Sequence, residues 1–254
     1  EPHDLREWPY LHTYEKDGFQ DIGFYSVYRD VEVELRDDDA VRNVAAHHIA
    51  LWNRDAETQH VGPFRTQASD HTGGMRHYLS LPWADGRDQI RWFVDAIDAA
   101  EKEVLIVTPY LNPPDEIHQA LRRARARDIR VRLVVRINST DPAGFIITAL
   151  SRRYASLFAG EFEIEEYFPR PLMMHTKMMM IDQRLAITTS TNLDHRAFLH
   201  DTENGLIFLD TPEVAAFLDV VDEYRQTARR VKPNETSHPL GDVLYGWRWL
   251  RSVF

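Results

Sequence analysis

The stretch His175-Thr-Lys177-Met-Met-Met-Ile-Asp182, with Thr189-Ser190-Thr191-Asn192 soon after it, decides how this chain is read. Its flanks look like strand: Glu-Tyr-Phe before, Leu-Ala-Ile-Thr-Thr after. Side chains on a strand alternate faces, so a strand here puts His175 and Lys177 on the same side. An imidazole and an ammonium on one face can grip a phosphate, one attacking or protonating while the other neutralises charge. A lone H-x-K arises by chance and by itself reads as a strand with a polar edge. The extended pattern gives it weight, because Ser190, Asn192, Asp194, Arg196, Phe198 and Glu203 follow in one short segment.

The rest of the chain bounds what such a site could serve. Its 254 residues suffice for one large domain or two small ones, and an apolar content of 43% is ordinary for a globular protein. There is no cysteine, hence no disulfide framework and no thiol chemistry. No apolar run approaches the ~20 residues of a membrane-spanning helix. No signal peptide is visible at Glu1, and the absence of an initial Met leaves room for a lost N-terminus. The net charge of -10 argues against a nucleic-acid partner, since phosphate binders generally show a basic face. The exception is the Arg-rich run at 122–132.

Outward from the motif, the pattern is α/β. Residues 28–35 alternate like a strand, and Asp37-Asp-Asp39 opens a helix carrying His47-His48, read as partly exposed helix histidines. Residues 54–75 are polar and glycine-rich, a linker or loop. Helices are predicted near 87–101, from Pro114, from Asp141-Pro142 to Phe158, and from Thr211-Pro212 to Val231. Strands are predicted at 103–110, 130–135, 161–167, 174–182, 185–189 and 203–209. Interleaved strands and helices imply a mixed sheet covered on both faces. No His/Asp/Glu cluster has a metal-site spacing. The C-terminal Gly246-Trp-Arg-Trp-Leu-Arg-Ser-Val-Phe254 suits either a membrane interface or a helix docked on the core. The loop at 168–174 could line a lipid-chain entrance.

The segment from His175 to Glu203 resembles the second H-K-D motif of the phospholipase D superfamily, particularly that of bacterial cardiolipin synthases. Two positions depart: Thr189 stands where Gly is usual and Asp201 where Asn is usual. Neither removes a reacting group. Tyr28-Arg-Asp-Val31 with Leu51-Trp-Asn53 resembles the close of that family's first lobe. Thr108-Pro-Tyr-Leu-Asn-Pro-Pro-Asp115 and the run from Arg123 to Val131 resemble the opening of its second. The implied fold is an α-β-α sandwich with a mixed central sheet. Residues 76–254 would form one full lobe, and residues 1–75 the tail of a first lobe with its linker.

The resemblance implies metal-independent, cofactor-free hydrolysis or transphosphatidylation of phospholipids through a phosphohistidine. His175 would be the general acid/base. Lys177 and Asn192 would hold the non-bridging oxygens with Ser190 nearby, and Glu203 would orient the His175 ring. Asp182 reads as a structural turn or ion-pair residue; Asp194 and Arg196 as cap and brace of a short helix after Asn192. The chain has only one H-x-K, so the expected partner is a second H-K-D-bearing half, either a separate N-terminal fragment or a homodimer mate. A phospholipid substrate and peripheral contact with a bacterial membrane are implied, with no nucleic acid. A nucleic-acid phosphodiesterase of the same superfamily and a catalytically silent lipid-binding module remain as alternatives.

Overall fold

The computed structural model describes residues 27–36, 38–55, 74–137, 145–167, 172–235 and 239–247. Its strands are β1 (Val27–Arg29), β2 (Met75–Ser80), β3 (Glu103–Thr108), β4 (Leu111–Asn112), β5 (Arg130–Val135), β6 (Glu163–Tyr167), β7 (Leu172–Met174), β8 (Met178–Ile181), β9 (Leu185–Thr189), β10 (Leu193–Asp194), β11 (Glu203–Leu209) and β12 (Ala228–Arg230). Its helices are α1 (Asp38–Asp55), α2 (Pro82–Asp85), α3 (Asp88–Asp98), α4 (Asp115–Ala126), α5 (Phe145–Phe158), α6 (His195–Leu199), α7 (Glu213–Thr227) and α8 (Pro239–Gly246).

Eight strands make one mixed sheet in the order β12-β6-β5-β3-β8-β9-β11-β2. β3, β5 and β6 run parallel, and α4 and α5 supply the crossovers that parallel neighbours need. The other pairings are antiparallel. Along β3, Val104 and Ile106 face a core shared with Ile90, Phe93 and Ile97 of α3 and Ile117 and Leu121 of α4. Leu105 and Val107 face a second core with Val214, Phe217 and Val221 of α7. Burial on both faces explains why the central strands read as unbroken apolar runs. The three successive methionines of β8 split between these cores, Met179 to the first and Met178 and Met180 to the second.

The strand expected at 174–182 is broken. β7 leaves the main sheet to pair in parallel with β1, while β8 stays in it, so His175 to Lys177 bridge two sheets. One bond carries the main ladder past β8: the Thr189 N–H donates to the Lys177 carbonyl at 3.1 Å. The strand expected at 28–35 is laddered only through Arg29. Edge strand β2 arises at the end of the stretch read as linker. Gly74 permits it, since a Cβ there would fall 2.2 Å from the Leu209 carbonyl oxygen. His47 of α1 meets β2, its Nδ1 2.7 Å from His77 Nδ1. The helix expected to reach Val231 stops at Thr227. The chain turns extended at Ala228, and in β12 Arg229 donates to the fully buried carboxylate of Glu166 at 2.6 Å. The expected cap at Asp141-Pro142, most of the loop at 168–174, and the C-terminal tail from residue 248 lie outside the described residues.

Candidate active site

Two sheets meet at His175. β1 and β7 run parallel with Arg29 opposite Met174, so the next residue of each, Asp30 and His175, leave the ladder side by side. Asp30 Oδ2 lies 2.8 Å from His175 Nδ1. At the far side of the ring, Nε2 lies 2.9 Å from Lys177 Nζ, which also donates to the His175 carbonyl at 2.6 Å. These neighbours fix the tautomer. A carboxylate only accepts and an ammonium only donates, so Nδ1 carries the hydrogen and Nε2 presents its lone pair. That lone pair is what a nucleophile or a general base requires. Thr176 points the opposite way, its hydroxyl 2.6 Å from that of Tyr224 on α7, which pins the backbone between the two functional side chains.

Lys177 is 7% exposed. Burial lowers its pKa to about 8, against the pull of Asp30, Glu203 and Asp194. Partial burial pushes the Asp30 carboxyl up, but hydrogen bonds from His175 and the Val31 N–H, with the Lys177 charge, outweigh this and hold it below its usual value.

Glu203 does not bond His175. It sits on β11, two strands from β8 across β9, and its carboxylate reaches only to Ser190, whose hydroxyl donates to it. Asp30 takes the place beside the ring that the sequence suggested for Glu203. The Tyr28-Arg-Asp-Val31 run marked that neighbourhood as lobe-like. A contact across 145 positions, however, leaves no local pattern in a single sequence.

Asn192 is half-buried beside a cleft lined by Thr108, Met178, Thr189, Thr191 and Phe198, and its buried Oδ1 has no hydrogen-bond partner. The amide is thus not consumed by the fold from that atom. Asp194 caps α6, its carboxylate accepting the Ala197 N–H at 2.8 Å. Arg196 reaches Asp201 at 3.2 Å, outside the cleft. Asp182 lies at the far end of β8, where its carboxylate accepts three backbone N–H groups, of Glu101, Lys102 and Glu103, at 2.7–2.8 Å. His175, Lys177, Ser190 and Glu203 therefore lie with Asp30 at one end of the central strands β8, β9 and β11, Asn192 follows in the loop after β9, and Asp182 is at the opposite end of β8. Among the described residues, no three His, Cys, Asp or Glu side chains cluster as a metal site would require.

Burial raises Glu203 to about 7, with Ser190 and Lys177 opposing and Asp201 reinforcing. Burial likewise raises Asp194 to about 7. Both hold a proton more tightly folded than unfolded. Their contribution is full below their ordinary values of 4.5 and 3.8 and is lost as pH rises through about 7. Glu203→Gln should therefore flatten the fall in stability between pH 5 and 8, by on the order of 2–3 kcal/mol. Denaturant melts at several pH values measure it; an unchanged slope would mean the carboxylate is hydrated.

A family profile described as "Cardiolipin synthase, PLD-like domain" matches residues 93–230, more than half of the chain. The chain belongs to this cardiolipin synthase-like phospholipase D family. Family relatives include cardiolipin synthase A of Pseudomonas fluorescens, 34% identical over 121 residues, which are 47% of this chain and 24% of that protein. The fold agrees. The phosphatidylserine synthase of Haemophilus influenzae superposes with a TM-score of 0.58 at 20% identity, over 71% of this chain and 48% of that one. The phospholipase D family member Nuc of Salmonella typhimurium gives 0.51 at 18% identity, over 62% and 97%. The chain spans between about a quarter and about a third of the length of the curated relatives it matches.

Proposed function

We propose that this chain supplies one half of a metal-independent phosphodiester site that transfers a phosphatidyl group to water or an alcohol. The observation that carries the reading is the His175 ring held between Asp30 at Nδ1 and the Lys177 ammonium at Nε2. A phosphodiester resists attack because its oxygens are negative, and relieving that repulsion is most of the catalytic task. Lys177 supplies charge and Asn192 supplies directional N–H donors for the non-bridging oxygens.

The reaction needs two histidines on opposite sides of phosphorus. One attacks, forming a P–N bond as the P–O bond to the leaving alcohol breaks, and the other gives that alkoxide its proton. The second then takes a proton from incoming water or alcohol, whose oxygen displaces the first histidine. His175 takes the acid/base role: as an imidazolium beside Asp30 it gives its Nε2 proton to the leaving alkoxide, and Nε2 then takes a proton back from the incoming water or alcohol. The nucleophile lies on a second H-K-D-bearing half. The lobe-tail character of residues 21–75 favours a separate N-terminal portion over a homodimer mate. Glu203 is then the carboxylate available to the opposing histidine, as Asp30 is to His175.

Lipid is favoured over nucleic acid by the fate of the Arg-rich run. Arg122 pairs with Glu161, Arg123 with Asp98, Arg130 with Glu163 and Arg132 with Glu103, and Arg125 is turned to backbone carbonyls, so most of the run's charge is offset within the fold. No described helix is long and apolar enough to cross a membrane, and the substrate would be met at a bilayer surface.

The test is release of headgroup from phosphatidylglycerol vesicles, against cleavage of a single-stranded oligonucleotide, by the chain alone and in the assembly in which it is isolated. The assembly should act on the lipid and the isolated monomer should not. Preference for the oligonucleotide would favour the nuclease reading; silence of the assembly would favour a lipid-binding module. Activity should also persist in excess EDTA, because Lys177 and Asn192 do the charge work. Loss on chelation, restored by one divalent ion, would contradict this.

A further inference from the structure

Gly205 of β11 pairs with Thr189 of β9 on one side and with Tyr78 of β2 on the other. Met178 pairs with Thr188, so the next rung places Lys177 opposite Thr189. Lys177, Thr189, Gly205 and Tyr78 thus form one row across four strands, and paired residues of antiparallel strands share a face. The row runs from the phosphate-gripping lysine to the edge of the sheet. Gly205 leaves the middle of it empty: a Cβ there would fall 2.6 Å from Tyr78 Cε1 and 2.7 Å from the Thr188 carbonyl oxygen. The tyrosine ring lies across that gap, and its hydroxyl reaches Thr189 Oγ1 at 2.5 Å.

From Thr189 the bonds turn into the loop that carries Asn192. Thr189 Oγ1 accepts the Thr191 N–H at 3.0 Å and lies 2.8 Å from Thr191 Oγ1. Gln89, buried on α3, donates its side-chain N–H to Thr191 Oγ1 at 2.7 Å. The Thr189 hydroxyl also lies 3.0 Å from the Asn204 carbonyl, which accepts the Ser190 N–H at 2.9 Å. Thr191, 4% exposed, is the one residue between Ser190 and Asn192, and its polar atoms are held from β9 and α3 together.

We propose that Tyr78, Gln89 and Thr189 are positioning residues that hold the Ser190–Asn192 loop at the geometry in which the Asn192 amide meets a phosphate oxygen. This rests on the reading of Lys177 and Asn192 as phosphate ligands. None of the three would touch substrate; each acts through Thr191. Gln89 Oε1 is buried without a partner, so the hold on Thr191 comes from the Gln89 N–H and the Tyr78 and Thr189 hydroxyls, and removing one hydroxyl loosens the segment it anchors.

Amide hydrogen exchange and inorganic-phosphate affinity by calorimetry, on the full chain, test this with Tyr78→Phe, Thr189→Val and Thr189→Ser. The first two should speed exchange of the Thr191 and Asn192 amides about tenfold and weaken phosphate about fivefold, the scale of one lost hydrogen bond. Exchange in β3 and β5 should be unchanged. Thr189→Ser, which keeps the hydroxyl, should restore both readouts. Unchanged exchange at Thr191 would overturn the proposal, as would faster exchange with phosphate affinity intact. If the wild-type chain and Lys177→Ala bind phosphate equally or not at all, the phosphate reading of the site fails. The exchange data then still decide whether the network holds the loop.

Discussion

Replacing His175 with alanine should lower phosphatidyl turnover by ~10²–10⁴-fold, and by more if the ring is the nucleophile. Other histidines are engaged away from the Asp30–Lys177 pair. His47 and His77 bond each other at the β2 edge, and His118 and His195 are buried against Tyr154 and the Asn112 carbonyl. The fold should survive, because the His175 side chain is 34% exposed and contributes little to either core. Steady-state turnover of the assembly and a thermal melt, measured together, check it. Turnover near the wild-type rate, with a normal melt, would remove His175 from the chemistry.

Replacing Asp30 with asparagine should cost turnover on the order of 10²-fold, with a melt close to that of the wild type. The carboxylate is the group that forces Nδ1 to carry the hydrogen and stabilises the ring once Nε2 is protonated. An amide is nearly the same shape but can donate as well as accept, so it no longer dictates the tautomer. The loss should fall on kcat rather than KM, since Asp30 hydrogen-bonds the ring and acts on Lys177 through charge alone. Measuring kcat and KM separately for Asp30→Asn decides this. A rise in KM alone would mean that Asp30 shapes binding instead of the proton transfer.

The centre of the sheet was legible because β3, β5 and β8 are buried at nearly every residue. β5, β9 and β11 stand where their apolar runs predict, and β3 ends two residues early, at Thr108. The edges were not legible. β2 and β12 are half-solvated strands of mixed composition, Met-Arg-His-Tyr-Leu-Ser and Ala-Arg-Arg, and periodicity is weakest in such strands. The break at His175 was hidden for another reason. Leu172 to Ile181 is apolar on both sides of the motif, and nothing local says that its first part pairs with β1 and its second with β8 and β9. That Lys177, Ser190 and Glu203 fall at the same end of the central strands follows from the antiparallel succession of β8, β9 and β11. Asp30 and the Tyr78–Gln89–Thr189 contacts do not, because they join segments far apart in sequence through strand register.

The most direct measurement of the central claim is an NMR titration of the chain with tungstate, a tetrahedral phosphate mimic, in the presence of EDTA. The account predicts saturable shifts of the His175 ring nitrogens and the Asn192 side-chain amide, both lost in Lys177→Ala. Silent His175 and Asn192 resonances, or shifts that persist unchanged without Lys177, would contradict it.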